Sequence, residues 1–208
     1  MKIFKLEKDN PSEKTLDILR KSLKKGEIVI HPTDTCLGIA ANVFCEEAVE
    51  KIFKIKKRQR KKPISVLFNS LENTLEYVET NDFSRKILER NLPGPFTFVL
   101  KKKTGFPAYF LDEDFLGIRV PDDKISRSLA RDFPITTTSA NISGEENTYS
   151  IKELKITADI AVDCGNLEKI SSSTVVKIHE DRVTVLREGS GKPTNPPATS
   201  QNQANTKL

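Results

Sequence analysis

The sequence predicts one α/β domain built on an open, twisted sheet of mixed and antiparallel pairing, flanked by helices. Three observations lead there. Short runs rich in Val, Ile and Phe alternate with amphipathic stretches of helical period along most of the 208 residues. That length suits one packed domain with at most a small appendage. No apolar run reaches the roughly 18 residues that a transmembrane helix needs.

Taken in order, residues 2–6 and 27–31 read as strands. Between them Ser12 caps a helix whose apolar face is Leu16, Leu19 and Leu23, and Gly26 stops it. Glu46 to Lys57 forms a second amphipathic helix, with Val49, Ile52 and Phe53 on one side. A strand at 63–68, helices near 70–78 and 82–91, and a strand at 96–100 follow. Residues 115–119 are extended, 122–131 helical from an Asp122 cap, and 134–138 extended. A short helix near 151–155 precedes strands at 158–163, 173–178 and 183–187. After Gly189 the composition turns to Gly, Pro, Ser, Thr, Asn and Gln, with Leu208 the only large apolar residue. Such a segment buries too little surface to offset its ordering entropy. The expected division is a domain over 1–190 and a flexible polar tail over 191–208.

Charge and cysteine content narrow the function classes. Thirty-four Lys and Arg against 29 Asp and Glu leave +5, a mild bias toward anionic partners. Cys36, Cys45 and Cys164 are an odd number and match no zinc spacing, and the charged N-terminus lacks a secretory apolar stretch. Reduced thiols, a cytoplasmic location and no membrane partner are therefore expected. His31 and His179 are far apart, which argues against a histidine metal site or a His-driven triad.

Four clusters carry candidate chemistry. Pro32 to Gly38 packs hydroxyls and a carboxylate at a strand end, a set able to grip a small zwitterion. Lys54 to Lys62 holds Lys54, Lys56, Lys57, Arg58, Arg60, Lys61 and Lys62, more cations than a helix C-terminus requires, which points to a polyanion. Pro93-Gly94-Pro95 is a rigid turn into a strand. Thr136 to Gly144 is rich in small hydroxyl and amide side chains beside glycine, which lets a backbone approach phosphate oxygens. Arg119 and Arg187 each end an apolar strand, where a planar guanidinium can meet carboxylate or phosphate. Gly-Ser-Gly-Lys-Pro-Thr at 189–194 looks like the end of a phosphate-binding P-loop. Leu186 and Pro193 occupy the positions where that loop needs Gly and a hydroxyl, so the likeness is chance.

Taken together the motifs resemble the YrdC/TsaC family of threonylcarbamoyl-adenylate synthases over about residues 10–190. The motifs run in the family's order. They are PTDTCLGI at 32–39, Lys56-Lys57-Arg58 before Pro63, PGPFT at 93–97, GIRVP at 117–121, SANISG at 139–144, STV at 173–175 and LREG at 186–189. The chain departs from the family's usual residues at Leu37, Lys62, Leu67, Phe115 and Asn147. The resemblance implies a YrdC-like domain with a concave basic cleft. It implies an enzyme that joins L-threonine, bicarbonate and ATP into threonylcarbamoyl-AMP and releases pyrophosphate, for modification of tRNA. Lys56 and Arg58 would be catalytic. Thr35, Arg119, Thr137 and Thr174 would hold threonine, and Lys56, Arg58, Ser139, Asn141, Asn147 and Arg187 the nucleotide.

The implied chemistry asks for no nucleophile on the protein and no metal site of its own, with Mg2+ carried on ATP. A downstream tRNA threonylcarbamoyltransferase complex would take the product. The alternative is a diverged nucleotide- or RNA-binding module that grips tRNA or double-stranded RNA through residues 54–62 without making the adenylate.

Overall fold

The computed structural model describes residues 1–107 and 114–192. Residues 193–208 of the expected tail lie outside the described residues. Among the described residues ten strands form one sheet, helped by β-branched and aromatic runs that fit a half-buried pleated surface. They are β1 (Lys2–Lys5), β2 (Val29–His31), β3 (Gly38–Ala40), β4 (Ser65–Leu67), β5 (Phe96–Lys101), β6 (Phe115–Arg119), β7 (Ile135–Ser139), β8 (Ile160–Asp163), β9 (Thr174–His179) and β10 (Arg182–Arg187). Their order across the sheet is β1-β8-β2-β3-β7-β4-β6-β5-β9-β10. The β1–β8, β2–β8, β4–β6 and β5–β9 pairs are parallel and the others antiparallel, so the sheet is mixed, with antiparallel pairing slightly in excess.

Among the described residues five α-helices, α1 (Glu13–Lys24), α2 (Glu46–Ile55), α3 (Leu71–Leu75), α4 (Asp82–Asn91) and α5 (Lys124–Leu129), flank it. α1 ends where Gly26 takes φ +81°, a left-handed conformation in which glycine carries no steric penalty. α4 opens with a reciprocal cap between Asn81 and Ser84. The cap of α5 is Asp123, not Asp122: the Asp123 carboxylate accepts from the Ser126 amide at 2.7 Å. Asp122 instead donates its backbone N–H to the Asp34 carboxylate at 3.2 Å. One strand, β3, escapes the sequence reading, because three residues beginning at the end of the Pro32–Gly38 motif give too little alternation to detect.

Strand alternation sends successive residues to opposite faces of the sheet. One face meets α2, α3 and α4 and makes the larger core, with Ile30, Ile39, Val66, Phe98, Ile118 and Val176 among its strand residues. On the other face α1 and α5 cover only one side, where Leu16, Leu19, Leu23, Ile125 and Leu129 pack on Val29, Ala40, Leu67, Ile135 and Ile160. Burying each such leucine contributes roughly 1.5–3 kcal/mol. Past Leu67, no helix among the described residues covers the same face of β6, β5 and β9. Among the described residues no helix is long and apolar enough to cross a membrane.

The C-terminal boundary differs from expectation. Gly191, read from the sequence as the first tail residue, is buried, and its carbonyl accepts from the Thr174 hydroxyl at 2.6 Å. A Cβ on Gly191 would stand 2.7 Å from the Phe96 ring, and one on Gly189 would collide with the Ser172 carbonyl. The P-loop-like glycines are there because the backbone lies flat against the ends of β5 and β9.

Candidate functional site

The open part of the sheet is the floor of a cavity of about 420 Å3. Strand register fixes what faces it. Thr137 pairs with Ser65, Ser65 Oγ lies 2.9 Å from where a Gly117 Cβ would be, Gly117 pairs with Val99, and Val99 with Lys177. One row therefore crosses five strands with a glycine at its centre, and any side chain there would displace Ser65. In the next row Arg119 and Thr97 flank the floor, and Thr97 Oγ1 lies 2.8 Å from Ser173 Oγ.

Four described lining residues are cationic, Arg58, Arg119, Lys177 and Arg187, and none is acidic. Arg119 is held by Asp34 at 2.5 Å, and the same nitrogen lies 3.5 Å from Thr35 Oγ1. Its Nε is buried without a partner, a donor left over inside the site. Thr35 is fixed through Thr33, whose hydroxyl lies 3.1 Å away and also donates to the Cys36 carbonyl at 2.8 Å. Arg58 donates to the Lys62 and Pro63 carbonyls at 3.0 and 2.8 Å, and Arg187 to the Ser173 carbonyl at 2.7 Å. Burial lowers the pKa of both guanidinium groups, and for Arg187 the nearby Arg119 charge adds to it. Burial also pushes the Cys36 thiol up, which keeps it a neutral wall residue.

Of the residues singled out from sequence, Thr35, Arg58, Arg119, Thr137, Ser139 and Arg187 line this cavity together. Lys56, Asn141, Asn147 and Thr174 do not. Lys56 is buried beneath the 139–144 loop, where its ammonium donates to the Ser139 carbonyl, to the Asn141 carbonyl at 2.7 Å and to Asn141 Oδ1 at 3.2 Å. Desolvation, helped by Arg58, lowers its pKa to about 8. Asn141 is clamped in turn, accepting from Ser139 Oγ at 2.5 Å and donating to the Glu145 carbonyl at 2.6 Å. Asn147 donates to Ser172 Oγ at 2.9 Å and, with Asn141, lines a separate broad hollow of about 850 Å3 beside Tyr149. Thr174 has the opposite strand parity to Ser173 and Val175, so its hydroxyl points away from the cavity, toward Gly191.

Sequence reasoning missed Ser65, Thr97, Ser173 and Lys177. Their signal is the period-2 alternation itself: residues 97 and 99, 117 and 119, and 173, 175 and 177 share one face. Among the described residues no group of three or more His, Cys, Asp or Glu side chains has metal-holding geometry.

Comparison with known proteins decides the family. The profile of the Sua5/YciO/YrdC family, described as "Telomere recombination", matches residues 21–189. This chain belongs to the Sua5/YciO/YrdC family. A protein of Methanocaldococcus jannaschii provisionally named threonylcarbamoyl-AMP synthase is 40% identical over 193 residues, covering 91% of this chain and 92% of the relative. P. abyssi Sua5, solved in complex with L-threonine, superposes with a TM-score of 0.83 at 28% identity over 91% of this chain. This chain spans 58% of that Sua5 chain. E. coli YciO superposes with a TM-score of 0.84 at 25% identity, covering 92% of this chain and 98% of that chain. Within the Sua5/YciO/YrdC family, the unit shared with both structures is thus the mixed-sheet domain that carries the open floor.

Proposed function

We propose that this chain makes threonylcarbamoyl-AMP, taking L-threonine, bicarbonate and ATP and releasing pyrophosphate and water, in the service of tRNA modification. The observation that carries the reading is that Thr35, Arg119 and Thr137 share one cavity with Arg58, Ser139 and Arg187. Threonine presents a carboxylate, which suits the unpartnered Nε of Arg119, and an amine and hydroxyl, which suit the Thr35 and Thr137 hydroxyls. The amine takes up CO2 derived from bicarbonate as a carbamate. A carbamate oxygen then attacks the α-phosphorus, and the bond to the bridging oxygen of pyrophosphate breaks.

No covalent step falls on the protein. Its work is positioning, and supplying cations where negative charge builds on the leaving group. Mg2+ enters with ATP as part of the substrate. In this reading Lys56 acts at one remove, by fixing the carbonyls of the 139–144 loop. The test is pyrophosphate release that requires threonine, bicarbonate and ATP together. Release independent of threonine overturns the reading.

A second reading is favoured by one observation: Lys54, Lys57, Lys61 and Lys62 are exposed while Lys56 is buried and Arg58 half-buried. Arg60, also expected to be available, pairs with Glu50 and lies 5.3 Å over the Phe53 ring. Exchange of Lys57, Lys61 and Lys62 for Gln should flatten the salt dependence of tRNA binding by up to about 0.7–0.9 per lost phosphate contact. Pyrophosphate release should stay within about twofold of the parent. No detectable tRNA binding by the parent at low salt removes this reading.

A further inference from the structure

The four cations of the cavity differ in what already occupies them. Arg119 is paired with Asp34, Arg58 bonds two backbone carbonyls, and Arg187 bonds the carbonyl and hydroxyl of Ser173. The Lys177 ammonium sits 3.6 Å above the centre of the Phe115 ring. Among the described residues it has no carboxylate, carbonyl or hydroxyl partner. An aromatic face attracts a cation but accepts none of its three N–H bonds in ordinary hydrogen-bond geometry. Phe115 is itself fixed from its edge by His179, with ring centroids 5.4 Å apart. The lysine stem is thus held against a ring inside the cavity, and among the described residues its donors meet no acceptor.

Its place in the sheet says which part of a ligand it meets. Strands β4, β6 and β5 lie between Thr137 on β7 and Lys177 on β9. At about 4.8 Å per strand the two Cα atoms stand roughly 19 Å apart across the floor. The threonine-holding side chains are on the Thr137 side. In an in-line displacement the leaving group departs opposite the attacking oxygen, which carries pyrophosphate toward β9.

Resting on the function proposed above, we infer that Lys177 is a binding residue for the β- and γ-phosphates, closing a ring of four cations around the Gly117 floor. It leaves the Phe115 ring to donate to the departing pyrophosphate. It thereby sets the preference of this site for a triphosphate over a monophosphate.

The experiment measures binding of ATP, AMP, inorganic pyrophosphate and L-threonine at one fixed Mg2+ concentration to the parent, Lys177→Met and Lys177→Arg. Methionine keeps an apolar stem on the ring and removes the charge. Losing one charge-assisted hydrogen bond should raise the Kd for ATP and for pyrophosphate about tenfold. AMP and threonine should stay within about twofold, and Lys177→Arg should recover most of the loss. A merely structural role would weaken all four ligands together and lower the melting temperature. Equal weakening of ATP and AMP, or unchanged pyrophosphate binding in Lys177→Met, overturns the assignment while leaving the proposed function standing. A parent that binds neither ATP nor pyrophosphate overturns both.

Discussion

The same face of one sheet does two different jobs. Over β8, β2, β3, β7 and β4 it carries Val162, Val29, Ala40, Ile135 and Leu67, and α1 and α5 lie on it. Over β6, β5 and β9 it carries Gly117, Arg119, Thr97, Val99, Val175 and Lys177, and no helix among the described residues lies on it. The strands pair continuously across the join, with Leu67 opposite Arg119 in the β4–β6 ladder. What changes there is side-chain chemistry, not backbone. Apolar residues recruit helices because their burial is favourable. Small hydroxyls and arginines repel a helix's apolar stripe, because burying them without partners costs more than burying the helix gains. The cavity is therefore the stretch of sheet that the sequence declines to cover.

Removing apolar area from the covered side should act on stability and leave the open side working. Leu19 is fully buried on the inner face of α1, so Leu19→Ala should destabilise by about 3 kcal/mol, within the usual 2–5 for such truncations. The melting temperature should fall by roughly 6–12 °C for a domain of this size. At low temperature the variant should still bind ATP within about twofold of the parent. A large change in affinity would mean that the two sides are coupled and the comparison is too simple. The opposite substitution is Arg58→Ala. Arg58 is half-buried and its partners, the carbonyls of Lys62 and Pro63, remain open to water, so the melting temperature should move by less than about 4 °C. Pyrophosphate release should fall by about 100-fold or more, the usual effect of deleting one positioned donor from a site where charge develops. Near-normal turnover in the folded variant would take Arg58 out of the site.

Most of the covered side was legible in the sequence. The 3–4 residue spacing of Leu16, Leu19 and Leu23 and the stop at Gly26 are local signals, and local signals survive without tertiary information. The open side was legible only where motifs marked it, at Thr35, Arg58, Arg119, Thr137, Ser139 and Arg187. Lys177 lies on a strand that reads as an ordinary apolar run, and Thr97 closes the PGPFT motif without a role of its own, so their membership in the floor depends on which face the helices leave bare. Thr174 shows the converse. A motif located the segment correctly, but a one-residue step along a strand changes face, so Ser173 lines the cavity and Thr174 does not. The family resemblance makes Lys56 a nucleotide contact alongside Arg58, because both match the same Lys-x-Arg motif. Helix α2 ends at Ile55 and Lys57 takes φ +49°, a left-handed turn that sends the lysine inward beneath the loop and leaves the arginine at the cavity.

A weaker effect probes the seam between the two sides. His31 ends β2, is completely buried, and lies just before the Pro32–Thr35 turn that delivers Thr35 to the cavity. Its Nδ1 lies 2.8 Å from the Pro32 carbonyl, so that nitrogen carries the proton and Nε2 is left bare, buried and without a partner. Desolvation holds its pKa near 4, well below the ordinary 6.5. Between pH 6.5 and 4 the unfolded chain therefore binds a proton at this position that the folded chain refuses. Stability is then lost as the pH falls through that window, by at most about 1.4 kcal/mol per pH unit, and the loss stops below about pH 4. Asp123 works in the opposite direction, because burial raises its pKa, but it contributes equally to any pair of variants that retain it. The measurement is denaturant unfolding of the parent and His31→Asn at several pH values between 4 and 7.5. The difference between the two stabilities should shrink steadily toward acid, because asparagine does not titrate. Parallel curves would mean that His31 is protonated in the folded protein, with Nε2 donating to a group at the seam.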